Sequence, residues 1–246
     1  MPWTIPPDDK QAESIVHFLQ SGSLRPESCP PAIDGDVSFS YRNIFGEKNI
    51  SGYFQLISPS FLKFVISNPL GQPIFALTSD QTTFQLINTL KRKYISGTVY
   101  SYGLLNDIPS PLLKGDWQNW IRGTVTIQTS AITDIRGDKK NRGIWVTAEG
   151  SRDDSFSRTH LLIDTGGNVL LERIIERDDG NRLAKITYAD WVSVGTCKQP
   201  TSISITGLRY QTEVTVNLSD IRPVETTDND ARLLTAPANY LQQIIP

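Results

Sequence analysis

From Asp36 to Leu218 the chain repeatedly alternates apolar and polar residues with a period of two, the spacing that sends successive side chains to opposite faces of a strand. Val37, Phe39 and Tyr41 alternate with Ser38, Ser40 and Arg42, and Tyr53–Ile57 follows a Gly46-Glu47-Lys48-Asn49 turn. In Phe61–Ser67, Leu62, Phe64 and Ile66 share one face and Lys63 and Ser67 the other. Further strands are predicted at Ile74–Thr78, Phe84–Asn88 and Lys93–Gly97. The second half repeats the style. Leu161–Asp164 and Val169–Glu176 flank Thr165-Gly166-Gly167-Asn168, and Arg182–Tyr188 follows Asp178-Asp179-Gly180-Asn181; both are hairpin signals. Ser202–Thr206 and Glu213–Leu218 complete the set. Sequential hairpins of this length predict a mainly β, antiparallel meander with one apolar face, and no helices of 10–15 residues separate the strands as a parallel α/β sheet requires.

Two segments depart from that period. Residues 10–20 carry Ile15, Val16 and Leu19 at helical spacing and predict an N-terminal amphipathic helix, ended by Pro26, Pro30 and Pro31. In Ile108-Pro109-Ser110-Pro111-Leu112-Leu113 and the residues after it, Leu113, Trp117, Trp120 and Ile121 recur at helical spacing behind prolines that a helix tolerates at its start. This predicts a short apolar helix over about 110–122, placed to cover a sheet face like a lid. Thr133 to Arg158 is polar and reads as a long hairpin containing Ile144–Thr147, or a partly mobile one. Residues 223–246 read as a loop followed by a weakly amphipathic end.

Asn68-Pro69-Leu70-Gly71 sits between two of the predicted strands and places a bulky apolar side chain at a turn tip. Pro69 presets φ at the first corner and Gly71 supplies the freedom to close the reversal. Leu70 either folds back on its own hairpin or stands out as an anchor for something apolar. Phe54, Leu56, Leu62, Phe64, Ile66, Phe75, Leu77, Phe84 and Leu86 can all share one sheet face, beneath Trp117 and Trp120. A filled core and an incompletely filled hollow both need that pattern.

With 246 residues, 38% of them hydrophobic and 20% charged, the chain has material for one large β domain or two smaller ones. Its net charge of −2 argues against general affinity for nucleic acid or anionic membrane. No apolar run approaches the roughly 18–20 residues of a membrane-spanning helix. Cys29 and Cys197 can close one disulfide in an exported protein or serve as small hydrophobes in a cytosolic one. His17 and His160 lack cysteine or carboxylate neighbours at metal-ligand spacing and read as surface or boundary residues. No nucleophile, zinc or nucleotide motif occurs. The acid pairs Asp153-Asp154 and Asp178-Asp179, and the basic run Arg136–Arg142, read as solvated turns. Nothing supports an enzyme, a cofactor or a metal site.

Phe64-Val65-Ile66-Ser67-Asn68-Pro69-Leu70-Gly71, followed by Ile108-Pro109-Ser110-Pro111-Leu112 and Trp117-Gln118-Asn119-Trp120-Ile121-Arg122-Gly123, resembles the LolB outer-membrane lipoprotein receptors. That family pairs an Asn-Pro-Leu-Gly turn with a later Pro-x-Pro-Leu and a Trp-Ile-x-Gly helix. The resemblance is best over Asp36 to Gly123. It implies a single domain of the LolA/LolB kind over 1–246: an incomplete antiparallel β-barrel whose helical lid (Leu112, Leu113, Trp117, Trp120, Ile121) closes a hydrophobic cavity formed by the nine residues above. It further implies acyl chains of lipoproteins or other lipids as cargo, a LolA-like periplasmic carrier as partner, and Pro69, Leu70 and Gly71 as the membrane anchor loop. The setting implied is the periplasmic face of the outer membrane, with a lipid-anchored precursor whose signal and anchor cysteine precede Pro2. The chain departs from the family in its long Thr133–Arg158 stretch, its C-terminal extension and the absence of an anchor cysteine. A carrier of another lipid, or an envelope scaffold with a fully packed barrel, fits the same residues.

Overall fold

A computed structural model of the chain describes residues 3–5, 7, 13, 15, 16, 19, 29–106, 117–125, 131–149, 158–164, 166–177, 179–225 and 234–246. Most of these lie in strands. The chain divides into two compact units. One comprises Met1–Cys29, Tyr41–Gly46 and Asn119–Thr215; the other comprises Pro30–Ser40, Glu47–Gln118 and Val216–Pro246.

The first unit is a row of strands in the order β1 (Trp3–Ile5), β8 (Ile132–Asp138), β9 (Ile144–Glu149), β10 (Arg158–Asp164), β11 (Val169–Glu176), β12 (Arg182–Val194) and β13 (Cys197–Leu208). The part of the polar stretch from Thr133 to Glu149 is a hairpin, β8–β9, with its turn at 139–142, and residues 150–157 lie outside the described residues. Strands β9 to β11 are buried on both faces. Trp145, Leu162 and Ile174 form a cluster on one, and Leu161, Ile175 and Ile186 lie fully or nearly buried on the other. Cys29 and Cys197 are joined as a disulfide across 168 residues of sequence. In the predicted N-terminal helix, Glu13, Ile15, Val16 and Leu19 are described, all helical, with Ile15 fully buried.

The second unit holds, for most of their length, β2 (Ala32–Asn43), β3 (Gly46–Ile57) and β14 (Thr212–Val224), together with β4 (Phe61–Ser67), β5 (Pro73–Ser79), β6 (Thr83–Asn88), β7 (Lys93–Thr98) and β15 (Leu241–Ile245). The order is β14-β2-β3-β4-β5-β6-β7-β15. Strand β2 begins at Ala32, four residues before the alternation becomes visible. Asp34 is buried within the strand and accepts hydrogen bonds from Arg222 Nε and Tyr53 Oη, each at 2.8 Å. Burial and that bond raise the Tyr53 phenol to about 12. The expected turn at Gly46–Asn49 lies two residues earlier, at Ile44-Phe45, so Glu47, Lys48 and Asn49 are strand residues.

Two elements escape the period-two reading. Helix α1 (Val99–Leu105) starts at Thr98, whose Oγ1 accepts from Ser101 N at 3.2 Å, a side-chain cap that satisfies one free amide of the first turn. The tail from 241, read as weakly amphipathic, is β15, a short edge strand parallel to β7 in an otherwise antiparallel row. Its apolar positions Leu241, Ile244 and Ile245 do not alternate, and its backbone partners come from a strand almost 150 residues earlier. Local pattern gives no sign of such pairing.

Candidate functional site

The register of β3 to β7 builds a continuous apolar face in cross-strand rows. Phe54 pairs with Phe64, Phe64 with Leu77, Leu77 with Leu86 and Leu86 with Ile95. A second row runs Leu56–Leu62–Ser79–Phe84, and a third brings Ile66 beside Phe75. All nine residues singled out from sequence therefore share one face. Coverage is uneven along it. Phe54, Leu56, Leu62, Ile66 and Phe84 are buried, whereas Phe64, Phe75, Leu77 and Leu86 keep part of their surface open.

Side chains from two short helices pack against this face. Tyr102 of α1 lies with its ring 4.8 Å from that of Phe84. Phe84, Val99 and Ile245 form a buried cluster against which Leu77, Leu86, Ile95, Tyr102 and Trp117 pack. Trp117 opens α2 (Trp117–Arg122), the described part of the predicted lid. Leu112 and Leu113 lie outside the described residues. Helix α1, absent from the sequence reading, packs Tyr102 on this cluster and leaves Leu104 and Leu105 exposed.

Leu70 stands out from the turn at 84% exposure. The turn is held from within. Gly71 N donates to Asn68 O at 2.8 Å, and the Asn68 carboxamide oxygen accepts from Leu70 N at 3.0 Å and Gln72 N at 2.9 Å. Gly71 has φ +78°, a conformation that a Cβ would strain. Leu70 is thus presented by a preorganised loop.

The same end of the row carries more than Leu70. The β6–β7 turn lies there too, since Phe75 pairs with Asn88 and Asn88 with Lys93. Thr89 bolts the two turns together: its hydroxyl donates to Pro73 O at 2.8 Å and its amide to Ile74 O at 3.1 Å. Leu90 is 73% exposed and is followed by exposed Lys91 and Arg92. Leu241 joins them at 63% exposure, with its amide donating to Arg92 O at 2.9 Å. The result is three protruding leucines beside two cations. Sequence reasoning found only Leu70; the run Leu90-Lys91-Arg92-Lys93 was the signal available for the rest.

In the first unit the end of α2 is clasped by side chains. Gln199 Nε2 donates to Ile121 O at 3.0 Å and Arg173 to Thr124 O at 3.0 Å, while the Arg173 guanidinium lies 5.5 Å from the centre of the Trp120 ring. Trp191 packs so closely on Gly123 that a Cβ there would meet its ring at 2.5 Å.

His160 is not the boundary residue that its position at a strand start implies. It is buried, with Nδ1 2.9 Å from Thr147 Oγ1 and Nε2 3.1 Å from Glu176 Oε2. All three side chains are buried neighbours across β9, β10 and β11. His17 lies outside the described residues. The basic run 136–142 is equally more than a solvated tip. Asp138 accepts from Arg142 and from Trp145 Nε1, and Arg142 also pairs with Glu172, which holds Lys185 at 2.9 Å. Arg142 holds the Asp138 carboxyl well below the usual range, and Trp145 and two backbone amides add to the effect. Burial pushes Glu172 up, but Lys185 and Arg142 more than reverse it. Among the described residues no cluster of three metal-ligating side chains exists, and no helix is long and apolar enough to cross a membrane.

Solved structures share this arrangement of strands and short helices. The chain matches a LolA superfamily protein of Nitrosomonas europaea with a TM-score of 0.59 at 11% identity, over 91% of this chain and 98% of that one. A DUF1329 family protein of Desulfovibrio piger matches with a TM-score of 0.61 at 10% identity, over 94% and 100%. An outer membrane lipoprotein-sorting protein domain of Vibrio parahaemolyticus matches with a TM-score of 0.57 at 11% identity, over 89% and 96%. The fold is LolA-like. No family model and no curated protein sequence matches the chain.

Proposed function

We propose that this protein binds acyl chains of lipoproteins or other lipids and passes them to a membrane without covalent chemistry. The observation that carries the reading is the apolar face of β3–β7, half covered by α1 and Trp117, on the same row of strands as the protruding Leu70 turn. Sheltering an acyl chain from water gains roughly 0.8 kcal/mol per methylene, enough to hold a long chain against its ordering cost. Leu70, Leu90 and Leu241 dip into the lipid surface while Lys91 and Arg92 meet headgroup phosphates, so release takes place beside a bilayer.

The setting is the periplasmic face of the outer membrane. A disulfide fits an oxidising compartment, and one fold neighbour is described as an outer membrane lipoprotein-sorting domain. A LolA-like carrier is the proposed donor of cargo. The Thr147–His160–Glu176 arrangement has acid–base geometry, but its burial between strands supports a packing role.

The test is saturable uptake of a fluorescent fatty acid and of a triacylated lipopeptide, followed by transfer of each to vesicles. Saturable uptake with collision-dependent transfer is expected. Failure to bind either probe would mean that the face is filled by its own side chains and that the protein is a scaffold.

A further inference from the structure

Arg173 is an anomaly in the first unit. It lies on the face of β11 and β12 formed by Leu161, Ile175, Ala184 and Ile186, all buried, and is itself only 8% exposed. A buried guanidinium normally has a carboxylate; this one has a carbonyl and a tryptophan ring, which leaves its charge uncompensated. Its Nε–H is buried and has no hydrogen-bond partner. Two further donors are in the same condition nearby: the Tyr188 hydroxyl, in a side chain 2% exposed, and the Trp191 indole N–H.

The three belong together. Arg173 is directly opposite Ile186, so Tyr188, two residues on, shares its face one diagonal step away. The rings of Tyr188 and Trp191 are 6.3 Å apart. Arg173 and Trp191 both rest on the residues that follow α2, at Thr124 and Gly123. Burial raises the Tyr188 phenol, and the Arg173 charge partly opposes this, as expected of near neighbours. Buried donors without acceptors are rare in folded proteins, since each forfeits its hydration for nothing. Three such donors with a net positive charge define what is missing: an acceptor bearing negative charge.

We infer that Arg173, Tyr188 and Trp191 form a binding site for an oxyanion, a carboxylate or a phosphate monoester, either free or at the head of an amphiphile. A lipid with a charged head fits it; the uncharged glyceryl core of a lipoprotein anchor does not. The site is independent of the acyl-binding reading, because it lies in the other unit and can hold an anion whether or not β3–β7 takes a chain.

Calorimetry on the full chain with decanoate, decyl phosphate, decanol, acetate and inorganic phosphate tests it, using Tyr188→Phe and Arg173→Met. The anionic amphiphiles are expected to bind and decanol to bind at least about tenfold more weakly. Binding of acetate or phosphate alone to the same site identifies a free oxyanion as the ligand. Tyr188→Phe removes an unpartnered hydroxyl, so it is expected to melt no lower than the native chain while losing about tenfold or more in anion affinity. Arg173→Met is expected to abolish anion binding. Equal affinity for decanol and decanoate, no binding of any anion, or native affinity in Tyr188→Phe would each overturn the proposal. So would an Arg173→Met protein that folds and still binds, because Arg173 would then only clasp α2.

Discussion

Leu70→Glu is the most direct perturbation of the end proposed to meet a membrane. Burying a leucine side chain fully gains about 1.5–3 kcal/mol over leaving it in water. Leu70 is 84% exposed, so nearly all of that gain is still available when it enters a bilayer surface. The corresponding loss on substitution is about 1.3–2.5 kcal/mol, or about tenfold to seventyfold in vesicle partition, before the added cost of placing a carboxylate near lipid phosphate. The fold should not notice. The side chain contacts solvent, the turn is held by Asn68 and Gly71, and exposed substitutions of this kind stay within about 0.5 kcal/mol. The assay is co-flotation with phosphatidylethanolamine–phosphatidylglycerol vesicles, alongside a thermal melt and fatty-acid uptake as controls. Vesicle binding should collapse while melting and uptake hold. Partition within twofold of the native protein, in a variant that melts normally, would refute the anchor role.

Three further outcomes follow from the same coordinates. Lys91→Glu with Arg92→Glu should weaken binding to anionic vesicles by about 2 kcal/mol, an effect that shrinks in high salt and vanishes on zwitterionic lipid; flotation across a salt series measures it. Removing the Cys29–Cys197 disulfide by double serine substitution should cost about 5 kcal/mol in the chain-entropy treatment of a 168-residue separation, or about 10–20 °C in Tm, read by thermal melts with and without reductant. Asp138 and Glu172 have folded-state pKa values below their unfolded ones, so their contribution is complete above about pH 4–5 and drains as pH falls through the depressed values. Denaturant titrations below pH 4 should therefore show a shallower loss of stability in Asp138→Asn and Glu172→Gln than in the native chain.

Much of this was legible before any coordinates. Apolar patterning and turn signals located twelve of the strands, and the Asn-Pro-Leu-Gly tetrapeptide specified its turn almost completely: φ at Pro69, the positive φ at Gly71, and the Asn68 side chain that closes it. Helix α1 was hidden because Val99-Tyr100-Ser101-Tyr102 fits a strand as readily as a helix; only Thr98 hinted at a cap. Strand β15 depends on a partner distant in sequence. Burial of charge was the least readable. Arg173, Glu172 and His160 follow the same period-two pattern, and nothing in it says that both faces of those strands are covered. The cationic turn at Lys91-Arg92 was in plain view, but it needed the register of β5, β6 and β7 to stand beside Leu70.

The Cys29–Cys197 bond also constrains how the protein is made. During synthesis, the thiol at 29 emerges long before its mate at 197, and every hairpin of β3 to β7 intervenes. Those hairpins are therefore free to close while residue 29 is still reduced, and the covalent link cannot form before Cys197 has appeared. With two cysteines there is one internal pairing, so no shuffling between isomers is needed. The hazard in this interval is a cross-link between two nascent copies.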